Sequence, residues 1–303
     1  MTDLLTLAAS TATGLPLGIT EGGSWLLRNA WLIPALPALS FLGILFFGKR
    51  MPRGGSELGI ALVGLAFVLS LLTAAAWIDH RDNFEGEEVH RVVAVVEHGD
   101  ESAEGHGDGP AEAHAPAHPS LAVHNTVTWF ELNDVVFTVG TLVDGPAVMM
   151  MVVVSLVSLL VHVYSTEYVA GDRRYTHFFA FLSLFSASML LLVVSENTLQ
   201  LLVSWELVGV CSFVLIGHWW EEKPNSDAAL KAFLTNRVGD MGLIVGVTIL
   251  FFTVGSALPG QFGSFSIAET NALAGSGQLS HTALLVASCC LMAAVMSKSG
   301  QFL

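Results

Sequence analysis

Residues 197–219 read NTLQLLVSWELVGVCSFVLIGHW, and this stretch decides the class of fold. It is long enough to cross a bilayer as a single helix, which takes about 20 predominantly apolar residues. Glu206 nevertheless stands near its middle, between Trp205 and Leu207. An acid at that depth costs on the order of 3 kcal/mol on insertion scales, so it faces a bundle interior, finds a partner, and marks an ion path. The bland alternative is a protonated glutamate making one helix–helix hydrogen bond.

Comparable apolar runs recur along all 303 residues. They predict seven spans, at 30–48, 58–78, 143–165, 177–195, 197–219, 228–254 and 282–303. The fold class expected is an all-α membrane protein, a polytopic transmembrane helix bundle. Composition agrees: 53% of residues are hydrophobic and 13% charged, against about 25% charged in a soluble domain. The net charge of −14 excludes nucleic acid as a partner, because phosphate binding needs clustered Lys and Arg. Cys211, Cys289 and Cys290 all fall within predicted spans, which makes neither a disulfide framework nor a zinc site. Between spans, Ser195, Glu196 and Asn197 form a tight polar turn, and Asp227 ends a loop as the expected N-cap of the sixth span.

Basic residues set the orientation. Lys49, Arg50 and Arg53 follow the first span, Arg173 and Arg174 the third, and Lys223 the fifth, so all six share one side if the spans alternate. Only Arg28, Arg81 and Arg91 lie on the other side. The positive-inside rule then places the N-terminus outside and the 49–57 loop in the cytoplasm, in a multi-pass protein of the inner (plasma) membrane.

Three regions follow: two spans in 1–78, an outer loop at 79–142, and a helix bundle over 143–303. From Asp79 to Ser120 the loop holds eleven acids and six histidines (His80, His90, His98, His106, His114, His118), with much Gly, Ala and Pro. Such composition predicts a largely disordered, solvated segment, and the irregular histidine spacing does not make a compact ligand set. At 126–134, TVTWFELND regains aromatic and β-branched residues and predicts a short strand or interfacial segment.

The remaining basic residues, Lys231, Arg237 and Lys298, lie within spans. Arg237 and Asp240 are three apart, share a helix face and can neutralise each other. Lys231 and Asp240 are nine apart, about 13 Å along a helix, the spacing of two stations rather than of a contact. Lys231 has a plain alternative, snorkelling to the headgroups. Lys298 follows a long apolar run and precedes Ser299 and Gly300, which suit a helix break. Glu206 is its expected acidic partner. Four intramembrane ionisable groups on three consecutive spans point to a proton or cation path.

Three motifs, WELVGVCSFVLIGHW at 205–219, ALKAFLTNRVGD at 229–240 and SKSGQF at 297–302, carry a family resemblance. The chain resembles the L-type (chain 5) antiporter-like subunit of respiratory complex I, the proton-translocating NADH:quinone oxidoreductase, most clearly over 143–256. The resemblance implies that Glu206 is the family's key glutamate, Lys298 the lysine of its broken seventh helix, Arg237 and Asp240 its charged pair, and Lys231 its K-A-F lysine. It also implies that proton movement is coupled to quinone reduction elsewhere. The NADH, flavin (FMN), iron–sulfur and quinone sites belong to other subunits, so this chain holds no cofactor and no metal. The implied partners are other complex I membrane subunits, above all the adjacent antiporter-like subunit, together with the lipid bilayer and protons. Leu303 stands where the family has proline, and the family continues into a second bundle, so the expectation is a truncated fold carrying the first half of the machinery. Two other readings stay open: the large subunit of a multi-subunit sodium/proton antiporter, and a structural piece that assembles without pumping.

Overall fold

The computed structural model describes residues 24–98, 122–132, 135–258 and 262–301, the backbone alone over 83–98. Seven of the described helices are long and apolar enough to cross a membrane. The elements in chain order are α1 (Trp25–Arg28), α2 (Leu32–Phe47), α3 (Ser56–His98), β1 (Val123–Leu132), β2 (Val135–Val143), α4 (Gly145–Tyr168), α5 (Tyr175–Val193), α6 (Thr198–Ile216), α7 (Lys223–Ala257), α8 (Ile267–Gly275) and α9 (His281–Lys298). Each predicted span falls on one of α2, α3, α4, α5, α6, α7 and α9.

Local chemistry fixes the helix starts. Asp144 caps α4 by accepting from the Ala147 N–H at 2.8 Å, and Asn197 caps α6 by accepting from Gln200 N–H at 2.7 Å. The expected cap at Asp227 is not used. Helix α7 begins four residues earlier, at Lys223, because Pro224 fits a first turn whose N–H groups need no intrahelical partner. Asp227 instead pairs with Lys223 at 3.0 Å, one turn back. With 35 residues α7 is about 52 Å long, well beyond the hydrocarbon thickness, which leaves its first turns outside it.

The described parts of the segment 79–142 carry regular structure. Helix α3 runs on to His98, and β1 and β2 form an antiparallel hairpin from Val123↔Val143 to Leu132↔Val135, with an irregularity between Thr128 and Phe130. The rest of the stretch from which disorder was expected, about 99–121 with His106, His114 and His118, lies outside the described residues.

The helices alternate direction. At the basic end, the 48–55 turn meets the start of α5, where a Cβ on Gly48 would stand 2.4 Å from Thr176, and Arg174 pairs with Glu221. At the opposite, hairpin end, β2 is stitched to the α5–α6 turn: Leu142 N–H donates to Val194 O, the Gln200 side chain bonds both backbone groups of Gly140, and Asn197 Nδ2 donates to Thr138 O at 2.7 Å. Beneath the hairpin, Leu27, Ile33, Ala66, Val143, Met151 and Leu190 form a shared core.

Glu196 is the centre of that stitching. Its buried carboxylate accepts from Thr138 Oγ1 and Asn197 Nδ2, both at 2.9 Å, and its other oxygen lies 3.2 Å from His124 Nε2. Burial works against the charge, but His124, Asn197 and Thr138 outweigh it and hold the carboxyl below its usual range.

Helices α2–α5 meet along hydroxyls rather than along a purely apolar seam. Ser40 bonds Ser183 at 3.1 Å, Ser70 bonds Ser155 at 2.8 Å, and His162, fully buried, lies between Ser158 O (2.8 Å) and Ser183 Oγ (3.3 Å). Helices α7 and α9 use small residues, as membrane helices do where backbones must approach closely. A Cβ on Gly239 would fall 2.2 Å from Ser297 Cβ, and one on Gly242 2.6 Å from Cys290 O.

Two outcomes follow. Gly239→Ala is expected to lower stability by about 1–3 kcal/mol through overpacking, while Gly275→Ala, with nothing within 4 Å, leaves it unchanged; thermal unfolding in detergent separates them. Because the Glu196 carboxyl is depressed, its contribution is complete above the ordinary carboxylate pKa of about 4.3 and is lost as pH falls through the folded value. Hydrogen exchange at Leu142, corrected for its intrinsic rate, should be steady above about pH 4.3 and accelerate as pH falls below it, and Glu196→Gln should remove that step.

Candidate functional site

The site lies where α6, α7 and α9 converge. Glu206 is the ninth residue of the 19 in α6, and Asp240 is near the middle of α7. Lys298 closes α9: Ser299 caps it, and Gly300 turns left-handed at φ 64°, so the helix ends at the depth of the two acids. The helix thus ends at Lys298, where Ser299 and Gly300 follow. A cation at a helix C-terminus also meets the negative end of its dipole.

Arg237 ties the cluster together. Its Nη1 pairs with Glu206 Oε2 and lies 3.6 Å from Asp240 Oδ2. The Trp205 indole N–H donates to Asp240 Oδ1 at 2.6 Å, and Lys298 Nζ donates to Trp205 O at 3.1 Å while sitting 5.0 Å from the indole ring centre. Space for the ammonium comes from Gly209, whose missing Cβ would stand 3.2 Å from Nζ.

The expected pairing of Lys298 with Glu206 is therefore corrected: Arg237 takes Glu206, and Lys298 makes no described ion pair. The reason is reach and shape. A guanidinium projecting from α7 can serve two carboxylates from one position, whereas the Lys298 ammonium is directed at the α6 backbone carbonyl of Trp205. Glu206, Arg237, Asp240 and Lys298 do come together as foreseen, and the Arg237–Asp240 pair forms as its spacing requires. Lys231 does not join them; it is exposed on the early turns of α7.

Sequence reasoning passed over Trp205, Gly209, Phe233 and Ser297. Gly209 had a readable signal, since it follows Glu206 by three residues and shares its face. Phe233 lies under Arg237 with Cζ 4.6 Å from the ring centre, and Ser297 donates to Thr235 O at 2.7 Å. These contacts depend on how three helices are set against each other, which spacing along one helix does not encode.

Two acids and two bases make the cluster neutral. Asp240 is 5% exposed, but Glu206 and Arg237 keep 28% and 32% of their side chains exposed. Bare lipid is a poor cover for such groups, so further protein or water belongs on this flank.

Residues 129–179 match the family described as NADH-ubiquinone oxidoreductase (complex I), chain 5 N-terminus, and residues 195–303 match the NADH:quinone oxidoreductase/Mrp antiporter transmembrane family. The chain belongs to the antiporter-like subunits of complex I. Chain 5 of the NAD(P)H-quinone oxidoreductase of Synechocystis sp. is 39% identical over 284 residues, 91% of this chain and 35% of that protein. Subunit L of the F(420)H(2) dehydrogenase of Methanosarcina mazei is 36% identical over 221 residues, 73% of this chain and 27% of that protein. A solved structure of the Mrp complex from Dietzia sp. shares the fold, with a TM-score of 0.60 over 89% of this chain and 23% of that one, at 18% identity. The chain spans about a third of the length of the curated relatives it matches, less than the half expected from its motifs.

Arg237→Gln is expected to leave two acids unpaired at depth and lower the assembled fraction in membranes by an amount equivalent to about 2–4 kcal/mol. Adding Glu206→Gln should restore most of that loss, as read by resistance of the assembled protein to heating in mild detergent.

Proposed function

We propose that the chain is part of a membrane-arm subunit of an NADH:quinone oxidoreductase-type complex and takes part in proton translocation driven by quinone reduction in other subunits. The observation that carries this reading is the neutral, cross-linked set Glu206, Arg237, Asp240 and Lys298 held together by three helices long and apolar enough to span a membrane. A purely structural bundle has no need of four ionisable groups at that depth, each expensive to insert. Moving one charge against 100 mV takes about 2.3 kcal/mol, so an external redox reaction has to supply the drive. The NADH, flavin, iron–sulfur and quinone sites are assigned to those other subunits.

The cluster works as follows. A proton taken by Glu206 removes the charge that holds Arg237, and the guanidinium turns fully to Asp240. That withdraws Asp240 from its share in balancing Lys298, whose proton then moves on. Lys231 marks the side of uptake. The six basic residues of the 48–55, 169–174 and 217–223 segments make that side cytoplasmic, with the N-terminus outside, in the plasma membrane. The open flank of Glu206 and Arg237 is covered within the assembled complex, whose nearest member is the adjacent antiporter-like subunit.

Glu206→Gln in the assembled complex is expected to lower protons pumped per quinone reduced by at least about tenfold, the scale on which a lost proton carrier acts. Lys298→Ala should do the same. The measurement is quenching of a pH-sensitive dye in membrane vesicles, with assembly checked in parallel. Native pumping in a fully assembled Glu206→Gln variant would leave only a structural role for the chain.

A further inference from the structure

The contact between α6 and α7 continues past the charged cluster toward the basic end, in a regular order. On α6 and just after it the shared stripe is Glu206, Gly209, Phe213 and Gly217; on α7 it is Asp240, Arg237, Phe233, Ala229 and Ser226. These spacings of three and four residues keep each set on one helix face. At the basic end the stripe opens into a cavity of about 380 Å³ lined by Arg174, His177, Phe213, Gly217, His218 and Ser226. The closest approach beside it is Gly217 to Ala229, where a Cβ on the glycine would stand 3.2 Å from the alanine Cβ.

His218 is a titratable wall of this cavity with a buried ring nitrogen left without a hydrogen bond, as is Arg174 Nη1 beside it. Its side chain is 4% exposed, its Nε2 lies 3.4 Å from Asp172 Oδ1, and the geometry there does not complete a hydrogen bond. Buried ring nitrogens of this kind are normally served by water where a polar cavity admits it. Asp172 is committed elsewhere: the Arg174 N–H donates to Oδ1 at 2.6 Å and the Trp219 indole to Oδ2 at 2.7 Å. The Arg174 N–H bond foremost, with the Trp219 and His218 contacts overcoming burial, holds its carboxyl below the usual range. The other charged groups nearby are already paired, Arg174 with Glu221 and Lys223 with Asp227. His177 is exposed at the mouth against Phe181, with ring centres 4.6 Å apart.

Between cavity and cluster stand two rings. Phe213 lines the cavity and meets Phe233 at 5.2 Å between centres. The Arg237 guanidinium, paired with Glu206, lies over Phe233.

We propose that this cavity is the loading vestibule of the charged cluster, with His218 as its proton relay and the Phe213–Phe233 pair as the gate between vestibule water and Glu206. The proposal rests on the translocation reading above and adds its access route, which runs along the α6–α7 contact rather than past the exposed Lys231. With the gate shut, the rings exclude water from the cluster. When a ring swings aside, a water file joins the two compartments. An imidazolium at His218 then releases its N–H proton to that water, the file delivers a proton to a Glu206 carboxylate oxygen, and the cluster passes from net zero to plus one. His218 is reloaded from solvent at the basic end.

The test uses the assembled complex in sealed vesicles and a chain whose Cys211, Cys289 and Cys290 are replaced by alanine. Phe213→Cys should react with a membrane-impermeant methanethiosulfonate applied at the basic end, while Leu234→Cys, exposed on α7 but off the stripe, should not. His218→Ala should pump about tenfold more slowly and regain rate when imidazole is added at the basic end, a rescue that a merely structural histidine would not show. An inert Phe213→Cys, or an assembled His218→Ala that pumps normally or ignores imidazole, overturns the vestibule while leaving the Glu206 result standing. A reactive Phe213→Cys together with normal pumping by Glu206→Gln would instead overturn the translocation reading itself, and the vestibule's role with it.

Discussion

The pairing of Arg237 with Glu206 across α6 and α7 is the contact on which the rest of the bundle depends. A charged group at mid-membrane is tolerated only where another neutralises it, so helix placement here is dictated as much by charge as by apolar area. Each of the three helices brings something the others lack. Helix α6 gives an acid and an indole, α7 gives an acid and a guanidinium, and α9 gives an ammonium at its broken end. Remove α6 or α9 and the remaining charges no longer sum to zero; remove α7 and Glu206 loses the guanidinium that pairs with it. Oil-like packing alone cannot impose such a constraint in lipid, because lipid tails are as apolar as leucine.

The two ends of the molecule use different devices. At the hairpin end, main-chain bonds from β2 to the α5–α6 turn, reinforced by the buried Glu196 carboxylate, fix the outer rim of α6. At the basic end, ion pairs and aromatic contacts around Arg174, Glu221 and Trp220 hold the turns more loosely against solvent. Helix α6 is thus clamped at one rim and only bordered by side chains at the other.

Much of this was legible in the sequence, and the failures share one cause. Hydropathy located all seven spans, because a bilayer demands a length that soluble folds do not. The helix break at Lys298 could be read from Ser299 and Gly300, and the Arg237–Asp240 pair from spacing on one helix. The partner of Glu206 could not be read, since it is chosen by the rotation of α6 against α7. Acid-rich composition made the 79–120 stretch look loose, whereas the aromatic and β-branched residues of 126–134 did signal a strand. Composition averages over a segment, and here the average concealed the continuation of α3 to His98. His162 went unnoticed because a histidine in an apolar run has no periodic signature, and its serine partners, Ser183 among them, lie on another helix.

The glycine contacts between α7 and α9 carry a consequence for how any distant event reaches this site. With Gly239 against Ser297 and Gly242 against the Cys290 carbonyl, those two backbones have no slack to slide or separate. The mobile parts are therefore the long side chains themselves, the guanidinium and the ammonium, pivoting on fixed stems. A signal arriving from elsewhere in an assembly must come as a changed electric field or a rewetted crevice, and a piston-like stroke of these helices is ruled out by the way they touch.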